Sequence, residues 1–197
     1  MNSVTLSLPF SYTGVDFAGL FTLKASNLRN ANLLKRYAAV FLCIPTRAVY
    51  LEVFSKLSKD KFLACFARFT SRKDVPKAMF FENGRNLLGA KHWLLMTHED
   101  LMKYAEKSLI EKYCGEAVVK IKSHFKKGTG NLSCTFEEFY TMFISFETIL
   151  NSYPISPLSE NQNELLPLNP GYFLRNAPII VVPEVRNTSS VENISFL

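Results

Sequence analysis

The stretch that decides the fold is YAAVFLCIPTRAVYLEVF, residues 37–54. Its first part, residues 37–44, is apolar without interruption, which is typical of a central strand buried on both faces of a sheet. Pro45 and Thr46 predict a turn. The β-branched and aromatic residues of 48–54 then predict a second strand. The stretch therefore predicts a β-hairpin whose first strand lies inside the sheet.

The segments on either side of this hairpin extend the sheet. Residues 11–23 predict a strand that carries one acid, Asp16, in an apolar setting. After the hairpin, Ser58 predicts the start of a helix, and phenylalanines recur along it at the spacing of one apolar face. Residues 77–81 predict a short strand that runs into a turn sequence beginning at Glu82.

The second half of the chain is mainly helical in pattern. Residues 108–127 predict an amphipathic helix, and the Thr135 to Glu138 spacing is a capping box that predicts another helix ending before Pro154. We expect irregular structure from there to about residue 178. The order of elements predicts an α/β domain over residues 1–178, with a mixed sheet, and a linker or frayed tail over residues 179–197.

Composition and charge narrow the class of protein. The chain has 197 residues, of which 48% are hydrophobic, and this excludes a disordered or collagen-like chain. Residues 1–130 carry 21 basic and 10 acidic side chains, whereas residues 131–197 carry 2 and 7. A basic body favours a polyanionic partner, nucleic acid first, although a solubilising lysine-rich surface would have the same composition.

The cysteines and the N-terminal sequence indicate the cellular compartment in which the protein folds. The four cysteines are not spaced C-x-x-C and lie in apolar or helical contexts, so we expect buried free thiols in an intracellular, reducing compartment. The three histidines do not pair with them at zinc-ligand spacing, so no zinc site is predicted. We expect no signal peptide and no membrane span, because no apolar run approaches about 20 residues.

Three carboxylates stand out by position. Asp16 lies mid-strand, Glu82 lies at the end of the predicted strand of residues 77–81, and Glu116 lies on the helix of residues 108–127. If they converged, their oxygens could hold two divalent ions, Mg²⁺ or Mn²⁺, for phosphoryl transfer. Each acid also has a plain structural interpretation. Asp16 could be an edge residue, Glu82 could cap the Asn-Gly turn, and Glu116 could pair with Lys120.

Several motifs occur in a fixed order along the chain. They are PFSYTGVDFAG (9–19), TRAVYLE (46–52), VPKAMFFENGRN (75–86), EAVVKIK (116–122), the segment that begins with EEF and ends with ILNSYPISPLS (137–159), and NPGYFL (169–174). In this order they resemble retroelement integrase catalytic cores, especially those of BEL/Pao-type LTR retrotransposons. The resemblance covers about residues 9–185 and is weakest over residues 91–112.

This resemblance implies an RNase H-like fold and metal-dependent DNA strand transfer, with DNA as the partner and the nucleus as the place of action. By position it makes Asp16, Glu82 and Glu116 the catalytic metal ligands, for Mg²⁺ or Mn²⁺. It also implies phosphate contacts from lysines on and just after the third motif, which are Lys120, Lys122, Lys126 and Lys127. Homo-oligomerisation is left open.

The chain departs from the family pattern in three places. Glu82 stands where the family has Asp, and the segment 85–116 has no proline, which predicts that one strand and the active-site loop are missing. Tyr50 and Tyr153 stand where the family commonly has His and Arg. These departures predict impaired activity. The alternatives are an inactive nucleic-acid-binding or self-association module derived from an integrase, or a decayed fragment that folds poorly.

Overall fold

A computed structural model describes residues 8–28, 30–81, 119, 123, 134–157 and 167–175. The named elements follow in chain order: strands β1 (Tyr12–Lys24), β2 (Leu33–Cys43) and β3 (Val49–Phe54), helix α1 (Lys59–Lys73), strand β4 (Ala78–Phe81), helix α2 (Phe136–Ser152), the short strands β5 (Ser156–Pro157) and β6 (Pro167–Leu168), and helix α3 (Pro170–Arg175).

The larger sheet has four strands in the order β3-β2-β1-β4. β1, β2 and β3 form an antiparallel meander, and β4 joins the other side of β1 in parallel. A parallel neighbour needs a crossover connection, and α1 supplies it between β3 and β4. The predicted α/β class with a mixed sheet flanked by helices is confirmed. In this sheet β1 and β2 are the interior strands.

The two faces of the sheet are covered by different helices. Along β2, Ala38, Val40 and Leu42 lie in the core cluster that α2 completes, and the alternate residues lie in the cluster that α1 completes. The uninterrupted apolar sequence of β2 follows from this arrangement, because successive side chains of a strand point to opposite faces and both faces are buried.

Both helices present phenylalanines to the sheet at helical spacing. The buried residues of α1 are Phe62, Cys65, Phe66 and Phe69. Those of α2 include Phe139, Phe143, Phe146 and Leu150. The predicted capping box at the start of α2 is confirmed. Ser58 is the N-cap residue of α1, as predicted, but its side chain makes no capping hydrogen bond.

A β-bulge interrupts β1 between Ala18 and Phe21, where the register with β2 shifts. Gly19 has φ of +133°, which L side chains rarely adopt. A Cβ at this position would lie 3.2 Å from the carbonyl oxygen of Arg36 on β2. Glycine is therefore required by both the backbone conformation and the close approach of the neighbouring strand.

Two differences from the sequence-based expectations concern element boundaries. β2 begins at Leu33 rather than at Tyr37, because its antiparallel pairing with β1 continues to Lys24 opposite Leu33. The expectation of purely irregular structure after Pro154 is wrong. β5 pairs with β6, and α3 begins where Pro170 follows Asn169, whose Oδ1 accepts a hydrogen bond from the backbone N–H of Tyr172.

Several predictions fall outside the described residues. They are the helix of residues 108–127, of which only Val119 and Ser123 are described and both are helical, the missing strand and loop over residues 85–116, the domain boundary at residue 178 and the tail of residues 179–197. None of the helices in the described ranges combines the length and the apolar character needed to span a membrane.

Candidate active site and a buried ion-pair cluster

Asp16 lies in the middle of β1, between β2 and β4. Asp16 pairs with Val40 of β2. On the other side, Val15 pairs with Phe81, the last residue of β4. The last residue of β4 therefore lies at the level of Asp16.

The side chain of Asp16 belongs to the face of the sheet that α2 covers. Val15 packs in the α1 cluster and Ala18 in the α2 cluster, so the alternation of β1 assigns Asp16 to the same side as Ala18. Asp16 is only half-buried. Its Oδ1 accepts a hydrogen bond from the backbone N–H of Phe17 at 2.6 Å.

The other predicted site residues lie outside the described residues. They are Glu82, Glu116, Lys120, Lys122, Lys126 and Lys127. Their roles stay predictions, and so does their convergence with Asp16. Within the described ranges, no group of three or more His, Cys, Asp or Glu side chains could hold a metal ion. Of the three predicted ligands, Asp16 is thus the one whose surroundings are known.

A cluster that the sequence analysis missed lies on the opposite face, where α1 crosses the edge strand β3. Glu52 is buried, and its Oε1 accepts a hydrogen bond from Nε of Arg68 at 2.7 Å. Its Oε2 accepts one from Nη1 of Arg72 at 3.0 Å and one from the hydroxyl of Tyr50 at 2.8 Å. One buried carboxylate thus joins two arginines and one phenol.

The phenol of Tyr50 is held by this cluster from both sides. Its oxygen accepts a hydrogen bond from Arg72 while its hydroxyl donates to Glu52. Burial is the main reason that the pKa of Tyr50 is raised well above its usual value. The bond to Tyr50 in turn raises the pKa of the Arg72 guanidinium. Tyr50, one of the departures from the family pattern, is therefore part of a structural network.

The sequence does contain signals for this cluster. Glu52 is the single charged residue of an otherwise apolar strand, and a buried charge requires a partner. Arg68 and Arg72 are four residues apart, so they lie on one face of α1. What the sequence lacks is the pairing itself, because it depends on how α1 crosses β3.

Helix α2 also supplies side chains to the free edge of β3. Oδ1 of Asn151 accepts from the backbone N–H of Val49, and its Nδ2 donates to the carbonyl of Val49, both at 2.8 Å. Oε2 of Glu147 accepts from the backbone N–H of Leu51 at 2.8 Å. Arg68 of α1 donates to the carbonyl of Val53 at 3.0 Å. Side chains thus replace a neighbouring strand at this edge.

The carboxyl of Glu147 is strongly perturbed by its position. Burial raises its pKa from 4.5 to about 7, against the lowering effect of the hydrogen bond from Leu51. Lys73 and Arg72 lower the pKa by charge, whereas Glu52 raises it. Glu147 therefore links the edge of β3 electrostatically to the Glu52 cluster.

No protein-family model matches this chain, and no curated protein matches it. Among solved structures, it is similar to a chain of the simian T-cell lymphotropic virus intasome in complex with PP2A regulatory subunit B56 gamma. The TM-score is 0.52 at 10% sequence identity, over 94% of this chain and 61% of that chain. The fold is integrase-like. This chain spans about three fifths of the length of the intasome chain.

Two further similar structures are of the HTLV-2 integrase catalytic core domain in complex with magnesium. The trimeric form has a TM-score of 0.47 at 15% identity, covering 75% of this chain and 89% of that chain. The dimeric form has a TM-score of 0.46 at 16% identity, covering 80% and 94%. The strand order and the similarity to the intasome chain confirm the predicted fold class, a mixed sheet flanked by helices, whereas the BEL/Pao type stays a prediction.

Proposed function

We propose that this chain is an integrase-like catalytic domain that carries out metal-dependent DNA strand transfer, with Asp16, Glu82 and Glu116 as its acids. The observation that carries the proposal is the position of Asp16. It is a half-buried carboxylate on an interior strand, at the level where the parallel strand β4 ends.

The alternation along β4 supports the pairing of Asp16 with Glu82. Ala78 and Phe80 lie in the same core cluster as Ala18, whereas Met79 lies in the cluster of α1. If this alternation continued beyond Phe81, residue 82 would share the face that carries Asp16. Glu116, on the predicted helix of residues 108–127, would supply the third carboxylate.

The donor set suits a hard divalent cation. Three carboxylates offer only oxygen ligands, which Mg²⁺ and Mn²⁺ prefer. When bound, such ions would activate an attacking oxygen and stabilise the leaving oxygen of the phosphodiester. The backbone N–H of Phe17 donates a hydrogen bond to one carboxylate oxygen of Asp16 and so helps to orient that carboxylate. Lys120, Lys122, Lys126 and Lys127 would position DNA through its phosphates.

The alternative is a catalytically inactive module that binds nucleic acid or associates with itself. Glu82 favours it, because a glutamate in place of aspartate displaces the carboxylate by about 1.5 Å. A misplacement of about 1 Å can lower a rate about 100-fold. Under either alternative a protein that works on DNA would act in the nucleus, and homo-oligomerisation remains a prediction.

A strand-transfer assay separates these alternatives. The substrate is a labelled DNA oligonucleotide in Mg²⁺ or Mn²⁺, and the variants are Asp16→Asn and the matched control Asp60→Asn, which neutralises an exposed acid of α1. We expect strand transfer from the unmodified chain and from Asp60→Asn, and a loss of at least about 100-fold in Asp16→Asn. Strand transfer no greater than that of Asp16→Asn would reject the catalytic proposal in favour of the inactive module.

A further inference from the structure

A pocket of about 450 Å³ lies beside the edge strand β3, between α1 and the start of α2. It is distinct from the candidate active site, because β3 is at one edge of the sheet and Asp16 is on β1, next to the opposite edge strand β4. We refer to it as the edge pocket. Its lining includes residues of the Glu52 cluster but not Asp16, the one predicted catalytic acid that the structure describes.

The wall of the edge pocket is strongly basic. Among the described residues, four cationic side chains line it, Arg36, Lys61, Arg68 and Arg72, against one carboxylate, Glu52. Within the described part of the chain, no carboxylate lies at ion-pair distance from Arg36 or Lys61. Even with Glu52 ionised, these described side chains carry an excess of three positive charges, and a pocket lined by one sign of charge concentrates ions of the other sign.

The two arginines of the cluster are held in place by Glu52, and both remain partly exposed. Glu52 has only 4% of its side chain exposed, whereas Arg68 and Arg72 have 42% and 52% exposed. Arg72 makes its described bonds through Nη1 alone. A guanidinium has five N–H donors, so its Nε and Nη2 remain for an external acceptor. Glu52 thus holds both guanidinium groups in the pocket lining while each stays partly exposed, which suits a phosphate.

Aromatic side chains complete the lining. Phe136 and Tyr140, one turn apart on α2, are stacked with their centroids 5.8 Å apart and their planes 13° from parallel. Phe136 has 45% of its surface exposed. An exposed ring beside arginines is the arrangement on which proteins stack the bases of single-stranded nucleic acids, while the cations bind the backbone.

We propose that the edge pocket binds a single-stranded segment of nucleic acid, with a phosphate on the arginines and a base stacked on Phe136. A base inside a duplex cannot reach such a ring, so the pocket distinguishes single-stranded from double-stranded nucleic acid. The proposal does not depend on the catalytic function, because it uses none of the three acids.

The test is fluorescence anisotropy of the full chain with labelled single-stranded DNA and RNA oligonucleotides and with a duplex of the same length. We expect either single strand to bind more tightly than the duplex. Phe136→Ala should weaken single-strand binding about 5- to 100-fold. The matched control Phe173→Ala, an exposed aromatic of α3 that does not line the pocket, should leave it unchanged.

A second pair of variants tests whether the positive charge of the edge pocket contacts phosphate. Lys61→Gln should lower the slope of log affinity against log salt by about 0.7, because one phosphate contact to a single strand is lost. Lys59→Gln removes the same charge from the same helix outside the pocket and should change the slope less. Both substituted lysines are exposed, so the fold is expected to persist in each variant.

Three outcomes would overturn the proposal. The duplex could bind as tightly as the single strands, or Phe136→Ala and Phe173→Ala could have equal effects. Alternatively, sedimentation could show that the pocket substitutions change the oligomeric state without weakening nucleic-acid binding, which would make the pocket an interface between copies. Asp16→Asn distinguishes the two proposals, since it should abolish strand transfer and leave binding at the edge pocket intact.

Discussion

Asn151 of α2 exchanges two hydrogen bonds with the backbone of Val49, donating to its carbonyl and accepting from its N–H, each over 2.8 Å. An amide side chain thereby takes the place that a further strand would have beside β3. Edge strands with free backbone groups invite pairing with other chains, and this contact closes part of the edge.

The Asn151 contact should matter for stability. Asn151 and Val49 are both buried, so Asn151→Ala leaves a backbone donor and acceptor without partners. We expect a loss of about 2–4 kcal/mol in the free energy of unfolding, measured with urea. Asn151→Asp, which keeps only an acceptor, should also destabilise. Thr141→Ala on the exposed side of α2 is the control, and an equal loss there would contradict the prediction.

Glu147 should make stability depend on pH. Its pKa is about 7 in the folded chain and about 4.5 when unfolded, so the folded state binds more protons between these values. The contribution of Glu147 to stability should therefore be greatest below about pH 4.5 and fall as pH rises toward 7, by at most about 1.4 kcal/mol per pH unit. The measurement is urea unfolding at several pH values.

Glu147→Gln should remove that part of the pH dependence. Its amide oxygen still accepts from the N–H of Leu51, and no charge is then buried near Glu52. We expect the variant to be the more stable protein at pH 8. The comparison is with Glu137→Gln, an exposed glutamate in the first turn of the same helix. Identical pH profiles for the two variants would show that Glu147 does not titrate in this range.

The two arginines that bind Glu52 should act together. Arg68→Gln or Arg72→Gln alone leaves one cation on the carboxylate, and we expect each to cost about 1–2 kcal/mol, since both arginines are partly exposed. The double variant leaves a buried carboxylate without a cation and should cost about 3–5 kcal/mol. A double-mutant cycle from urea unfolding measures the coupling, and strict additivity would contradict it.

Cys65 should resist thiol reagents in the folded protein. It is a buried residue of α1, and burial together with the nearby charge of Glu52 raises the pKa of its thiol. Because the thiolate is the reactive form, alkylation at pH 8, mapped by mass spectrometry, should be slow until the protein unfolds. Cys134 is half-buried and serves as the internal comparison, and faster labelling of Cys65 than of Cys134 in native protein would refute the prediction.

The expectation of buried thiols is met at two of the three cysteines described. Cys43 and Cys65 are free and buried, whereas Cys134 is free but only half-buried. Cys134 precedes α2 at the position where its carbonyl accepts a hydrogen bond from the backbone N–H of Lys24. The exposure of an apolar residue at the start of a helix depends on how that helix packs against the rest of the fold. The local sequence does not specify this packing.

The local features of the fold could be predicted from sequence because their causes are local. The apolar run of β2 requires burial on both faces, the phenylalanine spacing defines one face of α1, and the Thr135–Glu138 capping box marks the start of α2. In each case the residues that interact or repeat are within a few positions of one another. The position of Asp16 within a strand follows from the same patterns, whereas the place of that strand between β2 and β4 depends on long-range pairing.

Only the tertiary structure decided which distant groups meet. Glu52 and Arg68 are 16 residues apart, Leu51 and Glu147 are 96 apart, and Val49 and Asn151 are 102 apart. Amphipathic patterns specify which face of each helix is buried, but not where along a strand that face docks. The edge of β3, the raised pKa of Glu147 and the edge pocket all arise from that docking, because a sheet edge becomes a site only when two helices meet around it.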